Sequence, residues 1–216
     1  MKNKSLLMTI AIFLFAMNLI AQPIKKSNNN NIKTVTIGTQ TWMAENLNVS
    51  TFRNGDVIPE VKTDAEWEQA VKEKKPAWCY YDNDPANGAK YGKLYNGYAV
   101  IDPRGLAPAG FHIPSEVEWI KLASYLDGTD HAAKKMKSTS GWMKDGNGTN
   151  ESGFCALPGG YRLPNFMYAG SNAYWWSSSL FVTGTPGWGF FMEYNYDRLN
   201  KMLYDEEGLS VRCIKD

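Results

Sequence analysis

From residue 174 to residue 214 the chain shows no helical period. Four short runs rich in aromatic and branched residues, 174–181, 188–194, 199–204 and 209–214, are divided by Gly, Pro, Asn or acidic turn residues, which is the pattern of an antiparallel meander. Helix signals stand upstream of it. Thr63 with Glu66, and Ser115 with Glu118, each place a hydroxyl three residues before a carboxylate, so that side chains satisfy two backbone N–H groups at a helix start. The first pair opens a helix to about Glu73, before Pro76. The second follows Pro114 and carries Trp119, Leu122, Ala123 and Leu126 at three- and four-residue spacing before Gly128, an apolar stripe for a core. A third, weaker helical stretch covers about 130–137, and 34–38 with 40–47 read as strand around a turn at Gly38. Helices early and strands late predict an α+β domain over 34–216, with two or three short helices packed on a C-terminal antiparallel sheet.

The first 21 residues stand outside that domain. Lys2 and Lys4 precede an apolar run over 6–15 broken only by Thr9, and Ala21 ends the segment before Gln22. A basic start, a short apolar stretch and a small boundary residue are the pattern of a cleaved secretory signal, and the run is short for a membrane span. Residues 22–33 (QPIKKSNNNNIK) are polar and bury too little apolar surface to offset ordering, so they read as a linker. The expected destination is the periplasm, the cell surface or the medium, with no stable membrane span after cleavage. Loss of Lys2 and Lys4 takes the formal net charge from +1 to −1. That near-neutral balance, with 44% hydrophobic residues and no long basic run, gives no footprint for nucleic acid and excludes a disordered chain.

Six ordered motifs carry a family resemblance. They are Trp42-Met43-Ala44-Glu45-Asn46-Leu47, Tyr91-Gly92-Lys93-Leu94-Tyr95-Asn96, Gly105-Leu106-Ala107-Pro108 with Gly110-Phe111-His112-Ile113-Pro114-Ser115, Gly153-Phe154 with Leu157-Pro158-Gly159-Gly160-Tyr161-Arg162, Tyr174-Trp175-Trp176-Ser177-Ser178, and Ser210-Val211-Arg212-Cys213. In this order they resemble the Fibrobacter succinogenes major paralogous domain, found in secreted and surface proteins of Bacteroidetes and Fibrobacteres. The resemblance covers about 34–216 and implies a C-type lectin-like fold, distantly similar to formylglycine-generating enzymes. In those enzymes an arginine-leucine-proline-threonine-x-alanine-glutamate-tryptophan segment opens a helix, and His112-Ile113-Pro114-Ser115-Glu116-Val117-Glu118-Trp119 is similar to it. Helix initiation and packing account for each residue here: proline sets the chain, Ser115 caps, and Trp119 anchors.

An exported chain with three cysteines, Cys79, Cys155 and Cys213, suggests one disulfide and one leftover thiol, with three pairings possible. Many relatives have a cysteine just before the glycine-aromatic-histidine segment, whereas 106–109 (LAPA) contains none. Cys213 is left with Cys79 or Cys155, or reduced, and the strand-like surroundings of Cys79 and Cys213 favour that pair. Formylglycine-generating enzymes use paired cysteines near the C-terminus and a copper ion, and one isolated Cys213 does not match them. A thiol enzyme with His112 or His131 as base has no spacing relation to support it, so a non-catalytic chain is expected.

Asp145, Asn147, Asn150 and Glu151 gather oxygen donors in a glycine-containing loop, a hard-ligand cluster of the kind calcium prefers but first of all the composition of a solvated turn. The expectation is no cofactor, with calcium as the one exception to weigh. Trp175 and Trp176 are adjacent and point to opposite faces of a strand, so either the sheet is covered on both sides and both rings are core, as tryptophan usually is, or one of them is open to serve as a stacking platform. Tyr196, Arg198 and the loop residues Asp145, Asn147 and Glu151 would supply polar contacts around it. Two functions follow: a secreted or cell-surface binding module for a glycan or surface protein, or a structural accessory domain of a cell-surface assembly with no ligand site of its own.

Overall fold

The computed structural model describes residues 32–216. The expected signal segment 1–21 and the linker up to residue 31 lie outside the described residues. No helix among the described residues is long and apolar enough to cross a membrane.

The domain is α+β. A hairpin of β1 (Thr34–Ile37) and β2 (Gln40–Met43) leads to helix α1 (Asp64–Lys72), strand β3 (Trp78–Cys79), helix α2 (Pro85–Tyr91), strand β4 (Leu94–Asn96) and the single turn α3 (Gly97–Val100). Next come β5 (Phe111–His112), α4 (Glu116–Tyr125) and α5 (Ala132–Met136). The chain closes with β6 (Gly159–Leu163), β7 (Asn165–Ala169), β8 (Asn172–Trp176), β9 (Trp188–Glu193), β10 (Asn200–Leu203), β11 (Gly208–Leu209) and β12 (Ile214–Lys215). Both capping boxes form: Thr63 and Glu66 close on each other at α1, and Ser115 and Glu118 do so at α4. Helix α2 was not foreseen. Its Asn-Gly centre reads as a turn, and it forms because Asp84 caps it and Pro85 occupies its first turn.

The strands build two sheets, β1-β2-β12-β5 and β10-β9-β8-β6-β11-β4-β3, with β7 paired to β6. The expected meander holds for β8, β9 and β10, which pair antiparallel in succession. It fails at the fourth run. Strand β11 turns back to pair with β4 and β6, β12 crosses to the N-terminal hairpin, and β6 meets β8 in a parallel bridge. One physical reason is that β10 is left as a half-exposed edge, while Leu209, Val211 and Cys213 are buried in contact with elements from the first half of the chain.

One cluster of buried side chains joins Trp42, Trp119, Phe154, Trp175 and Phe190, and a second joins Tyr95, Tyr174, Trp176, Tyr204 and Leu209. Trp175 and Trp176 therefore face different cores across the same strand. In the first, the Trp119 ring stacks on Phe190 with centroids 5.2 Å apart and lies 4.9 Å from Trp42. Hydrogen bonds from the family motifs converge here too. The Asn46 side-chain oxygen accepts from the Trp175 indole at 2.9 Å and from the Arg212 guanidinium at 2.9 and 2.7 Å, and Arg212 also donates to the Phe154 carbonyl. Arg162, wholly buried, donates to the carbonyls of Val61, Lys62 and Pro164 and to Asp64, which pins the start of α1 to β6. Gly160 is required by its neighbours: its φ is +64° and a Cβ would lie 2.3 Å from the Met167 carbonyl oxygen.

Candidate functional site

The two tryptophans expected to offer a platform do not. Trp175 and Trp176 are both 0% exposed. Their indole N–H groups are satisfied inside the protein, Trp175 by Asn46 and Trp176 by the Tyr95 carbonyl at 2.7 Å. The expectation is corrected because β8 is central and layers cover both of its faces, which is the arrangement in which adjacent rings can both be core.

Tyr196 and the 145–151 loop both lie against Lys137, whereas Arg198 pairs elsewhere, with Asp130. The Lys137 ammonium donates to the carbonyls of Tyr194 at 3.3 Å and Tyr196 at 2.6 Å. Desolvation pushes that ammonium down to about 8. Gly146 lets the loop approach the Tyr194 carbonyl, where a Cβ would fall at 2.3 Å. Inside the loop the Asn147 side-chain oxygen accepts the Trp142 N–H at 3.1 Å, and that of Asn150 accepts the Cys155 N–H at 2.7 Å. Two of the four oxygens of the calcium reading are thus already engaged, while Asp145 and Glu151 are exposed. Among the described residues no group of three or more His, Cys, Asp or Glu side chains is placed to hold a metal ion. Arg198 pairs with Asp130 at 3.1 Å in solvent, a contact of little energetic weight.

The disulfide expectation is also corrected: Cys79, Cys155 and Cys213 are all free. Cys79 packs with Trp67 and Leu94, and Cys213 belongs to the separate cluster around Tyr95. Burial pushes the Cys79 thiol up to about 11 and the Cys213 thiol up to about 12, so both behave as apolar packing groups.

One constellation has the residue types of an enzyme. His112 Nδ1 lies 2.8 Å from Asp216 and Nε2 lies 2.8 Å from Glu118, whose other oxygen takes the Ser115 hydroxyl at 2.8 Å. Both ring nitrogens are engaged by carboxylates, leaving neither to act as base on Ser115. Two open clefts, of about 490 and 410 Å3, flank α1. The first is walled mainly by aliphatic residues and prolines, with Glu66 already committed to the helix cap, and the second sets Trp67, Val71, Leu163 and Pro164 beside Glu68, Lys72 and Glu206.

The surface with the densest unfilled recognition chemistry is a face of the larger sheet that sequence reasoning did not pick. Register places it: Tyr174 is opposite Phe191, Asn172 opposite Glu193, and Gly160 beside Ala173, which turns Tyr161 and Tyr174 to the same side. Four rings then run across four strands. Tyr168 stacks on Tyr161 at 5.7 Å, Tyr161 meets Tyr174 edge-on at 4.9 Å, and Tyr174 stacks on Phe191 at 5.6 Å. Exposure grades along the row: Tyr174 is buried, Tyr161 and Phe191 are half-buried, and Tyr168 is 52% exposed. Tyr168 holds a φ of 67°, in the left-handed region that a bulky residue rarely adopts, at the entry to the turn that brings β8 back along the sheet. Glu207 joins from the β10–β11 turn. Because Gly208 pairs with Arg162, its neighbour Glu207 is directed to the Tyr161 side of the sheet. Asn172 donates to the Tyr174 hydroxyl at 2.8 Å. The sequence signal for this face was the pair of aromatic-rich runs at 174–181 and 188–194, which mark strands and not a surface.

A family model described as the Fibrobacter succinogenes major domain matches residues 35–215. Comparison with curated proteins and with solved structures found no match.

Proposed function

Since the chain belongs to the Fibrobacter succinogenes major domain family, we propose that it is an exported, non-catalytic binding module with a C-type lectin-like arrangement, whose tyrosine face receives a glycan or a protein partner at the cell surface, in the periplasm or outside the cell. The observation that carries this reading is the row Tyr168, Tyr161, Tyr174 and Phe191, graded from half-exposed to buried and flanked by carboxylates. Rings with an open side and fixed backs give contact area at small entropic cost. The alternative, an accessory domain without a ligand site, draws on the burial of Trp175 and Trp176. An array of glycans and surface proteins probed with the mature protein separates the two. The expected outcome is a binder whose affinity drops about thirtyfold in Tyr168→Ala, near the ~2 kcal/mol typical of an aromatic anchor, with melting little changed. An array with no binder, or a Tyr168→Ala variant that binds as well as the parent, favours the accessory domain.

A further inference from the structure

The polar groups that face the tyrosine row are two carboxylates, the phenols and the Asn172 amide, whose N–H is already given to the Tyr174 hydroxyl. Glu193 is directed to the Tyr174 side by its pairing with Asn172, and Glu207 to the Tyr161 side by the pairing of Gly208 with Arg162. Neither carboxylate enters any ion pair among the described residues. Glu207 uses one oxygen to accept the N–H groups of Asp205 and Glu206, at 2.9 and 3.1 Å, which folds the turn and leaves its charge without a cation. Lys137, which feels the charge of Glu193, has its ammonium committed to the carbonyls of Tyr194 and Tyr196.

A second feature points into the same place. Tyr204 is only 6% exposed, and its ring stands edge-on to Tyr174 at 6.2 Å and to Trp176 at 6.1 Å. Its hydroxyl makes no hydrogen bond among the described residues. Burial, with Tyr174, Glu207, Tyr161 and Glu193 adding to it, raises this phenol, so its oxygen stays neutral and able to accept. Burial likewise raises the Glu207 carboxyl. A half-buried carboxylate with no counter-charge, beside the negative faces of several rings, is relieved by a ligand that brings positive charge and hydrogen-bond donors only. Lysine and arginine are the side chains with that inventory, and their aliphatic stems suit a ring surface.

We propose that the tyrosine face of the sheet, formed by Tyr161, Tyr168, Tyr174 and Tyr204 with Glu193 and Glu207, receives a lysine or arginine side chain from a basic segment of a partner protein. The stem lies along Tyr161 and Tyr168, and the cation is drawn to Glu207 and Glu193. This inference rests on the binding-module reading and names the chemistry of the partner.

The test titrates the full mature protein with a short glycine-lysine peptide, with the same peptide carrying norleucine for lysine, and with a neutral oligosaccharide, at low and at high salt, following tyrosine ring resonances. The lysine peptide is expected to shift Tyr161 and Tyr168, to bind about tenfold or more tighter than the norleucine peptide, and to weaken with salt. Glu207→Gln, which keeps size and the turn's acceptor, is expected to lose that advantage while the near-ultraviolet dichroism of the core is retained. Should Glu207→Gln misfold, Glu193→Gln read in the same way supplies the answer. Equal binding of lysine and norleucine peptides, or an advantage that survives in both variants, overturns the cationic ligand. If the oligosaccharide alone shifts the tyrosines, this inference falls and the binding module stands. If no probe shifts them, both fall.

Discussion

At the scale of single residues the family motifs serve the interior. One amide oxygen, that of Asn46, receives the Trp175 indole and two donors of Arg212, so three motifs far apart in sequence depend on one atom. Arg212 is 2% exposed, and desolvation pulls it down to about 9 with no carboxylate in hydrogen-bond contact. Its planar fork fits this site and an ammonium does not. Arg212→Lys is therefore expected to cost about 1.5–3 kcal/mol for each charged hydrogen bond lost, read as a lower urea midpoint with unchanged slope. Trp175→Ala and Trp176→Ala are each expected to cost about 3–5 kcal/mol, the usual price of an emptied aromatic site. A variant that kept the parental melting temperature would contradict their burial.

At the scale of elements the clearest example is α4. Ser115 accepts the Glu118 N–H while Glu118 reaches back to the Ser115 N–H, and the same carboxylate holds His112. Ser115→Ala is expected to cost about 1 kcal/mol, measured by thermal melting. Burial lowers the His112 imidazole, but hydrogen bonds to Glu118 and Asp216 outweigh it and leave it raised from 6.5. The sign follows: its stabilising contribution is complete below pH 6.5 and is lost as pH rises through the elevated folded value. Because the ring is 41% exposed, solvent screening holds the effect to about 0.5–1 kcal/mol. The stability gap between the parent and His112→Asn should shrink between mildly acid and mildly alkaline buffer, and a constant gap would refute the coupling. At the β6–β7 pair, Gly160→Ala meets both a positive φ and the Met167 carbonyl, so it should cost at least about 2 kcal/mol, read as a lower melting temperature. The capping boxes and the apolar stripe of α4 were readable because hydroxyl, carboxylate and periodic side chains lie within one or two turns. Helix α2 and strands β4 to β7 were not, since elements of two to seven residues owe their form to partners far along the chain.

At the scale of the whole molecule, two aromatic clusters lie on opposite faces of shared strands, so neither can melt while the other stays packed. A single calorimetric transition with matching van't Hoff enthalpy is expected. Its alkaline limit follows from buried acids. Cys79 and Cys213, raised by burial from 9.0 to about 11 and about 12, contribute stability fully present below pH 9 and lost as pH rises through those folded values. Tyr95, Tyr174 and Tyr204, raised by burial from 10.0, act in the same direction. Lys137 acts oppositely: held at about 8 in the fold against 10.5, it makes stability rise between those values. Urea midpoints should fall steadily above pH 9, less steeply in Cys79→Ala with Cys213→Ala. The sequence by itself determined the α+β class, the two capped helix starts and the strand runs of β8, β9 and β10, because each depends on neighbours within a few residues. Only the tertiary structure decided that β11 and β12 leave the meander, that both tryptophans are core, that the cysteines stay apart, and that Tyr161, Tyr168 and Tyr174 form an open row. Those outcomes depend on which distant surfaces cover which face of a strand, and alternation along a strand says only that two faces exist.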